Sequence, residues 1–80
     1  MITVKVLLNE IGKVKDFVSK TTKCEFYMDL VSGRYVIDAK SIMGIFSLEL
    51  ARPLTLNIHC EEGEKGLKEF IESINAYIVD

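Results

Sequence analysis

The fold is decided by the stretch Cys24-Glu25-Phe26-Tyr27-Met28-Asp29-Leu30-Val31-Ser32-Gly33-Arg34-Tyr35-Val36-Ile37-Asp38. Apolar and polar residues alternate from Cys24 to Leu30, which is typical of a strand with one buried face. Ser32-Gly33 supplies a turn, because glycine adopts positive φ without steric cost. A return strand over residues 34–38 then completes a predicted antiparallel hairpin.

The same alternation predicts one further strand on each side of this hairpin in the sequence. Residues 2–6 form the first of them, and residues 54–60 form the second. On the second strand the apolar positions are Leu54, Leu56, Ile58 and Cys60, and the polar positions are Thr55, Asn57 and His59. Tyr27 is expected on the same open face as these polar residues. Such a mixed face is most often simply solvated.

Three helices are predicted between and after these strands. Apolar residues at helical spacing mark a first helix from Ile11 to Thr21 and a long final helix from Leu67 to Ile78. Ser41 is a good N-cap for a short helix that runs towards Leu50, and Pro53 stops any helix before it. The small residue Gly44 indicates that this short helix is closely packed.

The predicted element order is βαββαβα, without a linker or repeat, so residues 1–80 form one domain. Because each strand has one apolar face, one side of the sheet should be covered by helices. The predicted fold class is therefore α+β, an open-faced β-sandwich. It combines a four-stranded, mostly antiparallel sheet with three helices on one face.

Composition and charge restrict the possible functions. The 80 residues are 49% hydrophobic and carry a net charge of −2, so no basic surface favours nucleic acid or an anionic membrane. No apolar run is long enough to cross a bilayer, and the N-terminal residues do not resemble a signal peptide. We therefore expect a cytoplasmic protein with no direct contact to nucleic acid or membrane.

The cysteines and the single histidine give no pattern for a metal or a cofactor. Cys24 and Cys60 are in phase with apolar strand residues, which favours two reduced thiols in the core. His59 is interpreted as an exposed strand residue, with a relocated phosphoacceptor or a metal ligand as the alternative. No metal or cofactor is expected.

The segment Ala39-Lys40-Ser41-Ile42-Met43-Gly44-Ile45-Phe46-Ser47-Leu48 resembles the regulatory-serine segment of HPr, the histidine-containing phosphocarrier protein of the bacterial sugar phosphotransferase system. HPr proteins share the element order predicted above, and Gly63-Glu64 resembles the start of their last helix. The resemblance covers nearly the whole chain by order and length, and it is strongest from Val36 to Leu50. It implies an HPr-like fold.

The phosphocarrier loop of that family has no counterpart in this chain. The family's phosphate-accepting histidine lies in a loop of the type Gly-Ile/Leu-His-Ala-Arg-Pro, whereas the corresponding stretch is Leu7-Leu8-Asn9-Glu10-Ile11-Gly12-Lys13-Val14. Alignment without gaps places Glu10 at the position of the histidine. A carboxylate would repel an incoming phosphate and cannot directly replace the imidazole nucleophile. No catalytic residue is assigned, and the chain is not expected to be an enzyme.

By the same resemblance, Ser41 corresponds to the serine that HPr kinase phosphorylates in low-GC Gram-positive bacteria. The alternative is that its hydroxyl only caps the helix, and the two roles are compatible. Ile42, Met43 and Phe46 correspond to the apolar patch that binds the kinase, enzyme I and a LacI-type catabolite-control repressor. Core packing is the alternative for each of these three residues.

Three hypotheses follow. The first is a non-catalytic, HPr-like regulatory protein of carbon catabolite control, similar in pattern to the catabolite-repression HPr paralogue, which lacks the histidine but keeps the serine. Its partners would be HPr kinase and the repressor. The second is a protein-interaction module outside the phosphotransferase system. The third is a phosphocarrier that acts through Glu10 or His59.

Overall fold

The computed structural model describes residues 1–79, and its strands follow the predicted alternation of apolar residues. The strands are β1 (Ile2–Val6), β2 (Tyr27–Ser32), β3 (Tyr35–Asp38), β4 (Leu54–His59) and β5 (Ile78–Val79). The helices are α1 (Ile11–Thr22), α2 (Ile42–Phe46) and α3 (Leu67–Ser73), and a 3₁₀ turn covers Asn75–Tyr77. None of the helices within these 79 residues is both long and apolar enough to cross a bilayer.

The strands form one sheet in the order β3-β2-β4-β1-β5, and every neighbouring pair is antiparallel. The central strand β4 pairs with β2 through Tyr27 opposite His59, and with β1 through Thr3 opposite Asn57. This register brings the polar residues of three strands onto one face, because side chains directly opposite each other share a face. The predicted α+β open-faced sandwich is confirmed.

The other face of the sheet carries the core. Alternate strand residues such as Leu30 and Leu56 are buried there, together with Phe17 of α1, Ile45 of α2 and Phe70 of α3. Since one cluster contains buried residues from all three helices, the helices cover this face and leave the opposite face open. The side chains on the open face, such as Tyr27 at 59% exposure, remain accessible to solvent.

The hairpin turns at Gly33 and Arg34, between paired residues Ser32 and Tyr35. Gly33 has a φ of 58°, whereas no residue other than glycine in the described chain has positive φ. These signs fit a type II′ turn, which needs glycine at its first central position. The return strand therefore begins at Tyr35, one residue later than predicted.

The prediction that the final helix extends to Ile78 was wrong, and Ile78 belongs to a fifth strand instead. α3 ends at Ser73, and the 3₁₀ turn redirects the chain so that Ile78 lies opposite Val6 of β1. The backbone N–H of Leu7 donates to the carbonyl of Tyr77 at 2.8 Å, and the Tyr77 hydroxyl bonds to Asp16. These contacts hold the last residues against β1 although their apolar spacing suits a helix.

Several predicted element boundaries also differ from the structure. β2 begins at Tyr27 instead of Cys24, because the Cys24 backbone N–H donates to the Thr21 carbonyl at 3.1 Å and continues the turn after α1. β4 ends before Cys60, whose N–H donates to the Ile58 carbonyl at 2.9 Å. Both cysteines therefore lie just outside the strands.

The start of α3 and the end of α2 can also be compared with prediction. α3 begins at Leu67, where the apolar spacing begins, and not at Gly63-Glu64, as the resemblance implies, because Gly66 has a φ of 91° and separates a preceding turn from the helix. α2 ends at Phe46 instead of continuing to Leu50, since the N–H of Ser47 donates to the Gly44 carbonyl at 3.1 Å and tightens the last turn.

Candidate functional site

Ser41 is the N-cap of α2, as the sequence predicts. Its backbone is extended, and its Oγ accepts a hydrogen bond from the backbone N–H of Gly44 at 3.2 Å. This bond satisfies one of the N–H groups that a helix start leaves without a partner. Ser41 itself is half-buried, so the residue that caps the helix is partly accessible to solvent.

The residues before Ser41 are fixed by contacts to α1 and to the loop that follows α1. The buried hydroxyl of Thr21 donates to the Ala39 carbonyl at 2.9 Å, and Lys40 Nζ donates to the Cys24 carbonyl at 2.7 Å. The Asp38 carboxylate accepts from the Lys40 backbone N–H at 2.9 Å. The approach to Ser41 is therefore held in one conformation.

Gly44 lies close to the hairpin. A Cβ at this position would be 2.5 Å from Cγ2 of Ile37 and 3.1 Å from the Ser41 Oγ. The first separation is far below van der Waals contact, so only glycine lets α2 approach β3 this closely. The prediction that the small residue indicates close packing agrees with this geometry.

The three predicted patch residues divide between the core and the surface. Ile42 is half-buried and packs against the core, whereas Met43 is 77% exposed and Phe46 is 39% exposed. Met43 and Phe46 are three residues apart on α2, which places their side chains on the same side of the helix. We define these two residues, together with Ile42 at its edge, as the α2 patch.

Glu10 lies at the N-cap of α1 without capping it through its side chain. Its carboxylate is 3.8 Å from the Lys13 ammonium, and the latter also donates to Asn9 Oδ1 at 3.0 Å. Glu10 is thus a solvated surface carboxylate at the start of the helix. Since the Ala39 carbonyl bonds to Thr21, Ser41 lies near the opposite end of α1, about 16 Å away along the axis at 1.5 Å per residue.

The open face of the sheet carries a polar network centred on Asp29. His59 Nε2 is 2.8 Å from Asp29 Oδ2, Asn57 Nδ2 donates to Asp29 Oδ1 at 3.2 Å, and Thr3 Oγ1 donates to Asn57 Oδ1 at 2.9 Å. The Tyr27 ring lies against His59 with centroids 5.0 Å apart. Asp29 is only 8% exposed, so the network satisfies a carboxylate that water reaches poorly.

These geometries can be set against known proteins. The structure is similar to HPr-C-His from Thermoanaerobacter tengcongensis, with a TM-score of 0.73, 20% identity, and coverage of 95% of this chain and 89% of that chain. It is also similar to the phosphocarrier protein HPr from Bacillus anthracis, with a TM-score of 0.66, 18% identity, and coverage of 98% of this chain and 96% of that chain. For the histidine-containing phosphocarrier protein of Mycoplasma, the TM-score is 0.69 and the identity 10%, with coverage of 94% of this chain and 89% of that chain.

The chain has the HPr fold. The fold that the resemblance of residues 39–48 implies is thereby confirmed, with a fifth strand added to the expected four. No protein-family model matches the sequence, and a search of curated proteins found no match.

Within this HPr fold, the pairing of His59 with Asp29 was not predicted. Strand alternation places both residues on the open face, but it does not show which residues of different strands are adjacent. The register between β2 and β4 sets Asp29 opposite Asn57 and Tyr27 opposite His59, so Asp29 lies between two polar side chains of β4. His59 is an exposed strand residue as expected, and it has a specific partner as well.

The cysteines lie at the end of the sheet where β2 begins and β4 ends. Both are free thiols; Cys60 is buried and Cys24 is half-buried. Burial raises the pKa of the Cys60 thiol, and the nearby Glu64 carboxylate raises it further. Among residues 1–79, no group of three or more His, Cys, Asp or Glu side chains is placed to hold a metal ion.

Proposed function

We propose that this chain is a non-catalytic regulatory protein of the HPr type, related to the phosphoenolpyruvate-dependent sugar phosphotransferase system and controlled by phosphorylation of Ser41. The observation that carries the proposal is the position of Ser41 at the start of α2, two residues before the exposed Met43. The HPr fold supports the comparison of this segment with the regulatory segment of that family.

The contacts of Ser41 are compatible with a phosphate. Its hydroxyl bonds only to the Gly44 N–H in the described structure, and a phosphate oxygen can accept from that N–H in place of the hydroxyl. The preceding backbone is held by Thr21 and Lys40 whether or not Ser41 is modified. Phosphorylation would therefore add charge beside the α2 patch without unfolding the helix.

The α2 patch is the proposed contact for partners. An exposed methionine adapts to different apolar surfaces, and Phe46 adds a partly exposed aromatic ring beside it. By resemblance to HPr, the partners would be HPr kinase and a LacI-type catabolite-control repressor, and the protein would act in the cytoplasm. A phosphate on Ser41 would lie at the edge of this surface, where it could be read together with the patch.

The proposal of a non-catalytic role is supported by the residues that stand in place of the carrier loop. Phosphoryl transfer in HPr needs an imidazole nucleophile and neighbouring groups that stabilise the negative charge of the incoming phosphate. Glu10 instead offers a solvated carboxylate beside Lys13. A phosphocarrier role through His59 is favoured only by the bond between His59 and Asp29. If His59 had this role, phosphorylated enzyme I would transfer label to this chain and not to a His59→Gln variant.

A second candidate is a protein-interaction module outside the phosphotransferase system, in which Ser41 serves only as a cap. The Ser41–Gly44 hydrogen bond gives a structural reason for a serine here without any kinase. In that case a Ser41→Ala variant would keep all partner binding.

Repressor binding tests the proposal. The chain phosphorylated at Ser41 is titrated against the repressor by calorimetry. The Met43→Ser variant is compared with a Tyr27→Ser control, which removes an exposed side chain from the open face instead. Met43→Ser should weaken binding about tenfold, the effect of losing about 1.4 kcal/mol, and Tyr27→Ser should not. Equal binding of the phosphorylated and unmodified chains would contradict the proposal.

A further inference from the structure

β3 forms an exposed edge of the sheet. Within residues 1–79 it pairs only with β2, and its sequence Tyr35-Val36-Ile37-Asp38 contains no proline or lysine. Tyr35 is 69% exposed and Val36 is 62% exposed. Natural proteins usually protect such edges with proline, lysine or a bulge, because an open edge can pair with another strand. The opposite edge, β5, has only two residues.

The hydrogen bonds of the hairpin show which backbone groups of β3 face outward. The N–H of Ala39 donates to the Met28 carbonyl of β2 at 3.0 Å. In an antiparallel strand, the N–H and C=O of one residue point to the same side, and the side alternates along the chain. Ile37 and Tyr35 therefore also face β2, whereas Val36 directs both its N–H and its C=O away from the sheet.

We propose that β3 pairs antiparallel with β3 of a second copy of this chain, about a twofold axis at Val36. The N–H of each Val36 would donate to the Val36 carbonyl of the other copy. Such a contact is isologous, since the same residues lie on both sides, and it closes at two subunits. The two sheets would become one continuous sheet of ten strands, twice the five of the single chain.

The side chains favour a second copy over an unrelated strand. In this register Arg34 of one copy lies opposite Asp38 of the other, and both are exposed. Tyr35 of one copy lies opposite Ile37 of the other, and such aromatic and β-branched pairs stabilise antiparallel strands. The Tyr35 ring would cover Ile37, which is only half-buried in the single chain. Every position from 34 to 38 therefore meets a complementary residue.

Other registers lose this complementarity. A shift of one residue would place the outward N–H and C=O of Val36 opposite a residue of the other copy whose backbone groups already face β2. The outward groups would then lack partners. A shift of two residues would place Arg34 or Asp38 opposite Val36 and separate the charge pair. The sequence from 34 to 38 thus selects the register centred on Val36.

Sedimentation velocity over a hundredfold range of concentration, up to the millimolar range, tests the proposal. The wild-type chain should form dimers that Val36→Pro removes, because proline eliminates the outward N–H and leaves the bonds to β2 intact. A matched Val36→Thr control keeps the N–H and a β-branched side chain, and it should still form dimers. A monomer at all concentrations, or dimers that persist in Val36→Pro, would overturn the proposal.

Two measurements keep the test decisive if Val36→Pro does not fold. In the wild-type chain, hydrogen exchange at the Val36 amide should slow at least tenfold as the concentration rises, while the Ile37 amide stays protected throughout. Arg34→Glu should weaken dimers at least tenfold, since it sets like charges opposite Asp38. Unchanged exchange at Val36, or unchanged dimers in Arg34→Glu, would contradict the register.

Discussion

Ser41 and Gly44 depend on each other at the start of α2. The Ser41 Oγ accepts the Gly44 N–H at 3.2 Å, and the missing side chain of Gly44 leaves room for that hydroxyl and for Ile37 of β3. The pair links the cap of the helix to its packing on the hairpin. The same contact thus positions the proposed phosphorylation site and fixes the short helix that carries the α2 patch.

Ser41→Ala should lower the free energy of unfolding by about 1 kcal/mol, because the Gly44 N–H loses its partner. Ser41→Asp should remain within a few tenths of a kcal/mol of wild type, since aspartate caps equally well. Urea unfolding measures both changes. Ser19→Ala is the control, as Ser19 is exposed on α1; an equal loss in this variant would show that the effect does not come from the cap.

Gly44→Ala should destabilise the protein by about 1–3 kcal/mol, because the added Cβ overlaps Ile37. Gly12→Ala is the matched control: it also lies in a helix, but no atom lies within 4 Å of its added Cβ. It should stabilise the protein by roughly 0.5–1 kcal/mol through helix propensity. Thermal unfolding measures both changes. Midpoint temperatures that shift in the same direction in the two variants would contradict the close packing at Gly44.

His59 should carry its proton on Nε2 when the imidazole is neutral. An ionised carboxylate can only accept a hydrogen bond, so the ring nitrogen 2.8 Å from Asp29 must be the donor. Long-range ¹H–¹⁵N correlation spectra distinguish the two tautomers. Asp29→Asn should reduce the preference for Nε2–H, and a wild-type ring protonated on Nδ1 would contradict the network on the open face.

Tyr77 should make stability depend on alkaline pH. Its hydrogen bond to Asp16, aided by burial, raises the pKa of Tyr77 from 10.0 to about 12. The contribution to stability is complete below pH 10, the unfolded value, and decreases as the pH rises towards 12. Between about pH 9 and about pH 11.5, the free energy of unfolding measured with urea should decrease more in wild type than in Tyr77→Phe. Equal losses would contradict the Asp16–Tyr77 bond.

Asp16 should act at the opposite end of the pH scale. Its hydrogen bonds to Lys20 and then to Tyr77 lower the pKa of Asp16 below its ordinary value of 3.8. Its contribution is therefore complete above pH 3.8 and lost as the pH falls through the lower folded value. Asp16→Asn should therefore lose less stability than wild type as the pH falls through this range. Because Asp16 is partly exposed, the difference between the two proteins should become smaller in high salt. A difference that does not change with salt would contradict the role of the charged pair.

The sequence predicted those parts of the fold that local patterns control. Alternation located the first four strands, and Ser41 and Gly44 marked the start and close packing of α2. The apolar spacing through Ile78 suits a helix, yet Ile78 and Val79 pair with Val6 and Lys5 of β1, which lie far away in sequence. Long-range pairing overrode local periodicity there, and no single-sequence pattern reports it.

The candidate site was predictable to a similar extent. A short helix on a sheet leaves part of its circumference exposed, so some exposure among Ile42, Met43 and Phe46 was predictable. The sequence did not show that Met43 and Phe46 are the exposed ones. The contact of Asp29 with His59 could not be derived, because it depends on the register between β2 and β4. A shift of that register by two residues would have placed another polar residue beside Asp29 while leaving the alternation unchanged.

Intact mass spectrometry tests most directly whether Ser41 is a regulatory phosphorylation site. The chain is incubated with ATP and the HPr kinase of the same organism, beside the Ser41→Ala variant and the host's own HPr. We expect one added phosphate on the wild-type chain and none on the variant. An unmodified chain, in a tube where the host's HPr is fully phosphorylated, would contradict the claim.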